Sequence, residues 1–160
     1  MQPVLLATDG SPTAEKATET AIELAKLLGT ELVVVTVWTI PYTMTGLAPA
    51  PISGELAELN EDEARKLVIE VAARAEEAGV EARTQVLRGI PVEEICAAAK
   101  TYVPRFLVVG SHGWGVVKRA VFGSVSTGVL HRATCPVLVV RAEPGEPKSR
   151  SNERANVRVA

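Results

Sequence analysis

Residues 106–124 read FLVVGSHGWGVVKRAVFGS, an apolar run from Phe106 to Val109 set directly against a loop that carries Gly110, Gly113, Gly115 and Gly123. A short apolar run bounded by turn residues suits a strand buried on both faces, which is the pattern of a parallel sheet covered by helices. A loop that only reverses the chain needs one or two glycines. Four of them beside a buried strand suggest that something comes close to the main chain there.

Working outward, similar runs occur at Val4 to Ala7, Leu32 to Val37 and Val137 to Val140. Helical stripes lie between them. Ala14, Ala17, Ala21, Leu24, Ala25 and Leu28 form one, and Ala64, Leu67, Val68, Val71, Ala72 and Ala75 form another. Gly29 and Gly79 stand where helix C-termini want a left-handed residue. A third helix starts at Pro91 with Val92, Ile95, Cys96 and Ala99 inward, and a fourth runs from near Ser124 to before Cys135-Pro136. The segment EARTQVLRG, residues 81–89, is too polar for burial on two faces and reads as an edge strand. The alternation predicts an α/β fold: a five-stranded parallel sheet of order 3-2-1-4-5, Rossmann-like, with helices on both faces. In that order the chain reverses direction between strands one and four, and ligands of such sheets bind outside the strand ends at this point.

The 160 residues fit one domain, expected over 1–141, with residues 142–160 as a loose tail rich in Pro, Gly, Ser, Arg and Glu. The stretch from Thr39 to Glu55 holds three prolines and two glycines and reads as a long mobile loop, either a lid or a variable connection. A net charge of −2 and six aromatic residues leave no basic, stacking surface for nucleic acid. No stretch approaches the roughly 20 apolar residues of a membrane span, and the first residues lack a leader pattern, so a cytoplasmic protein is expected. Cys96 and Cys135 lie far apart in the sequence, in no metal-like spacing, and read as small core residues.

The strand–glycine loop–helix order from Val109 to Ser124 puts orphan N–H groups and a positive helix end at the switch point, which is an anion site. Gly110 and Gly113 would let backbone approach a phosphate. Gly123 frees the entry to the helix, where Ser124 and Ser126 offer hydroxyls. Neither the P-loop nor the dinucleotide fingerprint fits, since Lys118 stands where the latter needs its third glycine.

The spacing of G-S-H-G, nine residues, then G-S is the G-x2-G-x9-G-[S/T] pattern of the universal stress protein family. The opening VLLATDGSP and the ending SVSTGVLHRATCPVLVV resemble that family too, so the likeness runs from Val4 to Arg141. The resemblance implies an adenine nucleotide alpha hydrolase-like sheet and, for members with the glycine pattern, ATP as ligand, with Mg²⁺ a plausible companion. It places the phosphates on Gly110, Gly113, Gly123 and Ser124, with Ser126 helping from the first turn; Ser111, His112, Gly115 and Val125 are expected in the same ATP site, Gly115 as a point of loop flexibility outside the pattern. It sets Asp9, after Ala7 and Thr8, toward the ribose or metal, and the backbone of Ala7 and Val37 beside adenine. It also implies a homodimer through Val137, Leu138, Val139 and Val140, an apolar strand without the usual protection of an edge.

Several residues keep two readings. Asp9 serves ribose or an Asx turn; His112 a phosphate or only the solvated loop; Lys118 and Arg119 a phosphate or a short helical turn. Trp114 packs over the loop rather than on adenine, and His131 and Arg132 complement a helix dipole. No catalytic constellation is present, so binding without efficient turnover is expected, with slow ATP hydrolysis or phosphotransfer and a nucleotide-free scaffold as alternatives. Protein partners and the stress signal are not written in the sequence.

Overall fold

The computed structural model describes residues 1–39, 42–45, 48–51, 54–112 and 122–141; for 42–45, 48–51, 54–57 and 59 it describes backbone alone. The expectations for Gly113, Trp114, Gly115, Lys118, Arg119 and the 142–160 tail lie outside the described residues.

The elements run β1 (Val4–Ala7), α1 (Pro12–Leu28), β2 (Leu32–Trp38), β3 (Tyr42–Thr45), β4 (Ala48–Pro51), α2 (Gly54–Glu77), β5 (Ala82–Arg88), α3 (Pro91–Tyr102), β6 (Phe106–Gly110), α4 (Ser124–Arg132) and β7 (Val137–Val140). Five of the strands form one sheet in the order β5-β2-β1-β6-β7, with every neighbouring pair parallel. With the β3–β4 pair set aside, this is the 3-2-1-4-5 order expected from the pattern. The polar segment is an edge strand, as its arginines require: β5 pairs with β2 alone.

Period-two alternation divides the core between the two faces of the sheet. Val4, Leu6, Val34 and Val108 meet Ala17, Ala21 and Ala25 of α1 and Val68, Val71 and Ala75 of α2. Leu5, Val33, Leu107 and Val109 meet Ile95 and Ala99 of α3 and Val129 of α4. Leu5, Leu6, Leu32 and Leu107 are fully buried, so truncating any of them to Ala would cost about 2–5 kcal/mol.

The helix ends follow their capping chemistry. Ser11 caps α1 by accepting from Ala14 N–H, and Gly29 closes that helix at φ +61°. Gly79, at φ +80°, closes α2 while Val80 N–H bonds back to Ala75 O at 2.9 Å.

The segment from Thr39 to Glu55 departs from expectation. Within it β3 and β4 pair antiparallel, Tyr42 opposite Pro51 and Thr45 opposite Ala48, and α2 already begins at Gly54. The early start has a physical reason: residues 55–66 are mostly Glu, Leu, Ala, Arg and Lys, strong helix formers that need no apolar stripe.

Candidate functional site

At the carboxyl end of the sheet, on the α3/α4 face, a cleft of about 520 Å³ opens between the tips of β1, β2 and β6 and the first turns of α3 and α4. Ten of the residues singled out in the sequence line it: Ala7, Thr8, Asp9, Val37, Gly110, His112, Gly123, Ser124, Val125 and Ser126. Ala14, Val35, Pro91, Ile95, Val109 and Phe122 also line it and were not foreseen. A signal for Pro91 and Ile95 was present. The helix after an edge strand must cross back over the sheet, so its first turn lands beside the switch point.

The β1–α1 turn is built by local side-chain hydrogen bonds. Thr8 Oγ1 accepts from Gly10 N–H at 3.3 Å, and Asp9 Oδ1 accepts from Ser11 N–H at 3.0 Å. Asp9 therefore does form the Asx turn, and it also stays exposed at the cleft wall, so the two readings of this carboxylate are compatible. Gly10 takes φ +70°, a conformation that suits glycine. Ser11 is fully buried, accepts from Ala14 N–H at 3.3 Å and donates to His112 O at 3.5 Å, joining this turn to the loop after β6.

Two ends of the glycine loop meet at one carbonyl. Ser111 O accepts from Gly123 N–H at 2.6 Å and from the Ser126 hydroxyl at 2.9 Å, and the same hydroxyl lies 3.0 Å from Gly123 O. Ser111 N–H in turn donates to Val140 O at 2.7 Å, tying the loop to β7. Ser111 sits behind the cleft wall, 3% exposed, with Oγ 3.1 Å from His112 Nδ1. Ser126 spends its proton on backbone and faces the cleft as an acceptor and as the owner of a first-turn N–H.

The bare backbone at Gly110 and Gly123 has an identifiable neighbour. A Cβ on Gly110 would stand 3.1 Å from Ala14 N and 3.2 Å from Thr13 C and O. One on Gly123 would stand 3.3 Å from His112 Cα. Main chain thus meets main chain at both positions, and this close packing brings the first turns of α1 and α4 to the cleft.

Electrostatically the cleft is dominated by helix ends. Residues from the first turns of α1, α3 and α4 all line it, so three positive dipole ends converge there. Gly123 at the N-cap of α4 offers no side-chain acceptor, and the first-turn N–H groups of Ser124, Val125 and Ser126 have no acceptor within the helix. Opposite them, Ala7, Val35, Val37, Ile95 and Val109 make an apolar wall. A flat apolar group joined to an anion fits this division.

The model of the universal stress protein family matches residues 1–141. A universal stress protein of Methanocaldococcus jannaschii is 36% identical over 140 residues, covering 86% of this chain and 81% of its own. A solved member of the family from Burkholderia pseudomallei superposes with a TM-score of 0.70 at 29% identity, over 88% of this chain and 96% of its own. A universal stress protein solved in complex with cAMP superposes with a TM-score of 0.65 at 26% identity, over 87% and 96%.

Proposed function

The chain belongs to the universal stress protein family, and from that premise we propose that it binds ATP in the cleft between β1, β2, α3 and α4. The observation that carries the reading is the meeting of an apolar pocket with the side-chain-free N-terminus of α4. Adenine would lie against Ala7, Val35, Val37 and Ile95. The phosphates would take the N–H groups of Ser124, Val125 and Ser126, and Asp9 would accept from the ribose hydroxyls while keeping its turn. A neighbour in complex with cAMP supports an adenine nucleotide as the class of ligand. Among the described residues no three of His, Cys, Asp and Glu gather as metal ligands, so Mg²⁺ enters only as the companion of the triphosphate.

The reading is of a binding module whose occupancy is sensed by stress-response partners in the cytoplasm. It acts as a homodimer paired along β7. The cleft is read as holding a nucleotide rather than turning it over; of the described residues that line it, Asp9 and His112 are titratable.

Equilibrium dialysis with ATP and with adenosine tests both halves of the pocket. ATP retained at least tenfold more tightly than adenosine is expected, because the helix N-terminus acts on phosphate alone. Equal affinity would remove the phosphate assignment, and retention of neither would overturn the nucleotide reading.

A further inference from the structure

Among the described residues that line the nucleotide cleft there is no lysine and no arginine. The N-terminal ends of α1, α3 and α4 supply partial charges, and these act within about one helical turn. A triphosphate brings more negative charge than such ends offset, so its outer phosphates call for a side-chain cation.

Arg141 stands where that cation is needed. It is the first residue after β7, and the pairing of Val140 with Gly110 puts it at the carboxyl end of the sheet, the end that carries the cleft. The bond from Ser111 N–H to Val140 O sets it beside the start of the glycine loop. Its guanidinium lies 5.2 Å from the ring centre of Phe122, and Phe122 lines the cleft directly before Gly123, the N-cap of α4. A ring attracts a cation through its π face, which leaves the in-plane N–H donors for an acceptor. Arg65, Arg74, Arg83 and Arg132 are each paired with a glutamate. Arg141 is exposed and makes no ion pair among the described residues, so its charge is not spent on a carboxylate.

We propose that Arg141 sets the preference for phosphate number: it reaches past Phe122 to the outer phosphates and makes the cleft favour a nucleoside triphosphate over a monophosphate. The assignment rests on the ATP reading and gives it a side chain that the glycine pattern does not contain.

Titration calorimetry with ATP and with AMP, at the same excess of Mg²⁺, separates the two claims. The parent should bind ATP more tightly than AMP. Arg141→Gln should weaken ATP about three- to fivefold, the size of one solvent-facing charge pair, and leave AMP unchanged. Arg141→Lys keeps the charge without the planar fork and should recover part of the loss. Three results would each overturn the assignment while leaving nucleotide binding in place: a parent without preference for ATP, equal affinity of parent and Arg141→Gln for ATP, or a matching loss for AMP. A parent that binds neither nucleotide would overturn it together with the ATP reading.

Discussion

Gly110 shows how one missing side chain serves two needs. Its Cβ position is taken by the backbone of Thr13 and Ala14 at 3.1–3.2 Å, so Gly110→Ala must push β6 away from the first turn of α1. We expect a loss of about 1–3 kcal/mol in urea denaturation, the usual cost of overpacking; an unchanged midpoint would contradict this packing. From the sequence alone Gly110 read as room for a phosphate; the structure sets the backbone of α1 against it. Spacing records where bare backbone is needed, whereas the partner at Gly110 comes from a helix nearly a hundred residues earlier. Asp9 was legible in kind, since both its turn and its place at the switch point follow from local pattern. The joining of Ser111 O to Gly123 and Ser126 was not, because a carbonyl leaves no mark in a sequence. Of the two cysteines expected in the core, Cys96 is buried there, while Cys135 is half-buried and packs against its edge. Burial raises the Cys96 thiol, and burial with neighbouring Cys96 raises Cys135. Both should alkylate slowly at neutral pH in the native protein and rapidly in denaturant; fast native labelling of Cys96 would contradict its place on the buried face of α3.

Among the elements, the helices were readable from their apolar stripes, the inner strands from unbroken apolar runs buried on both faces, and β5 as an edge from its polarity. The β3–β4 pair was not, since its prolines and glycines obscure any alternation. The first turns of α2 were missed for a different reason. They carry helix formers without an apolar stripe, and the stripe begins only where the helix reaches the sheet. The end of α3 holds a testable strain. Val103 sits at φ +45°, a left-handed conformation that β-branched residues avoid, with Val103 N–H bonded to Ala99 O at 3.0 Å and the residue 57% exposed. Replacing Val103 by Asn should raise stability by about 0.5–1 kcal/mol, because Asn tolerates this region and little burial is lost. A lower midpoint in thermal denaturation would show that the valine contributes packing that outweighs the strain. The α3–α4 contact is equally specific. A Cβ on Gly128 would stand 2.7 Å from Val92 Cγ2, so the two helices approach closely where α4 offers no side chain.

At the scale of the whole molecule, the two edges of the sheet differ. β5 exposes Arg83 and Arg88 along its length, a protected edge, while β7 presents Val137, Leu138, Val139 and Val140 and pairs with β6 alone. Leu138 of β7 is itself 37% exposed, an apolar side chain left open on this edge. The proposed homodimer would cover it by antiparallel pairing across a two-fold axis. Val139→Lys should shift sedimentation from dimer to monomer, and an undiminished dimer would place the interface elsewhere. Among the described residues no helix is long and apolar enough to cross a membrane.

The central claim is that the first turn of α4 holds the phosphates of ATP, and Ser124→Glu tests it most directly. Ser124 is exposed at the first position of that helix, where a carboxylate favours the dipole and should leave the fold as stable as before or stabilise it by about 0.3–1 kcal/mol. The same carboxylate would stand against an incoming phosphate. Titration calorimetry of nucleotide-free protein with ATP and Mg²⁺ should give saturable binding of one nucleotide per chain, at least tenfold weaker in Ser124→Glu. Absence of binding in the parent protein, or equal affinity in the variant, would contradict the account.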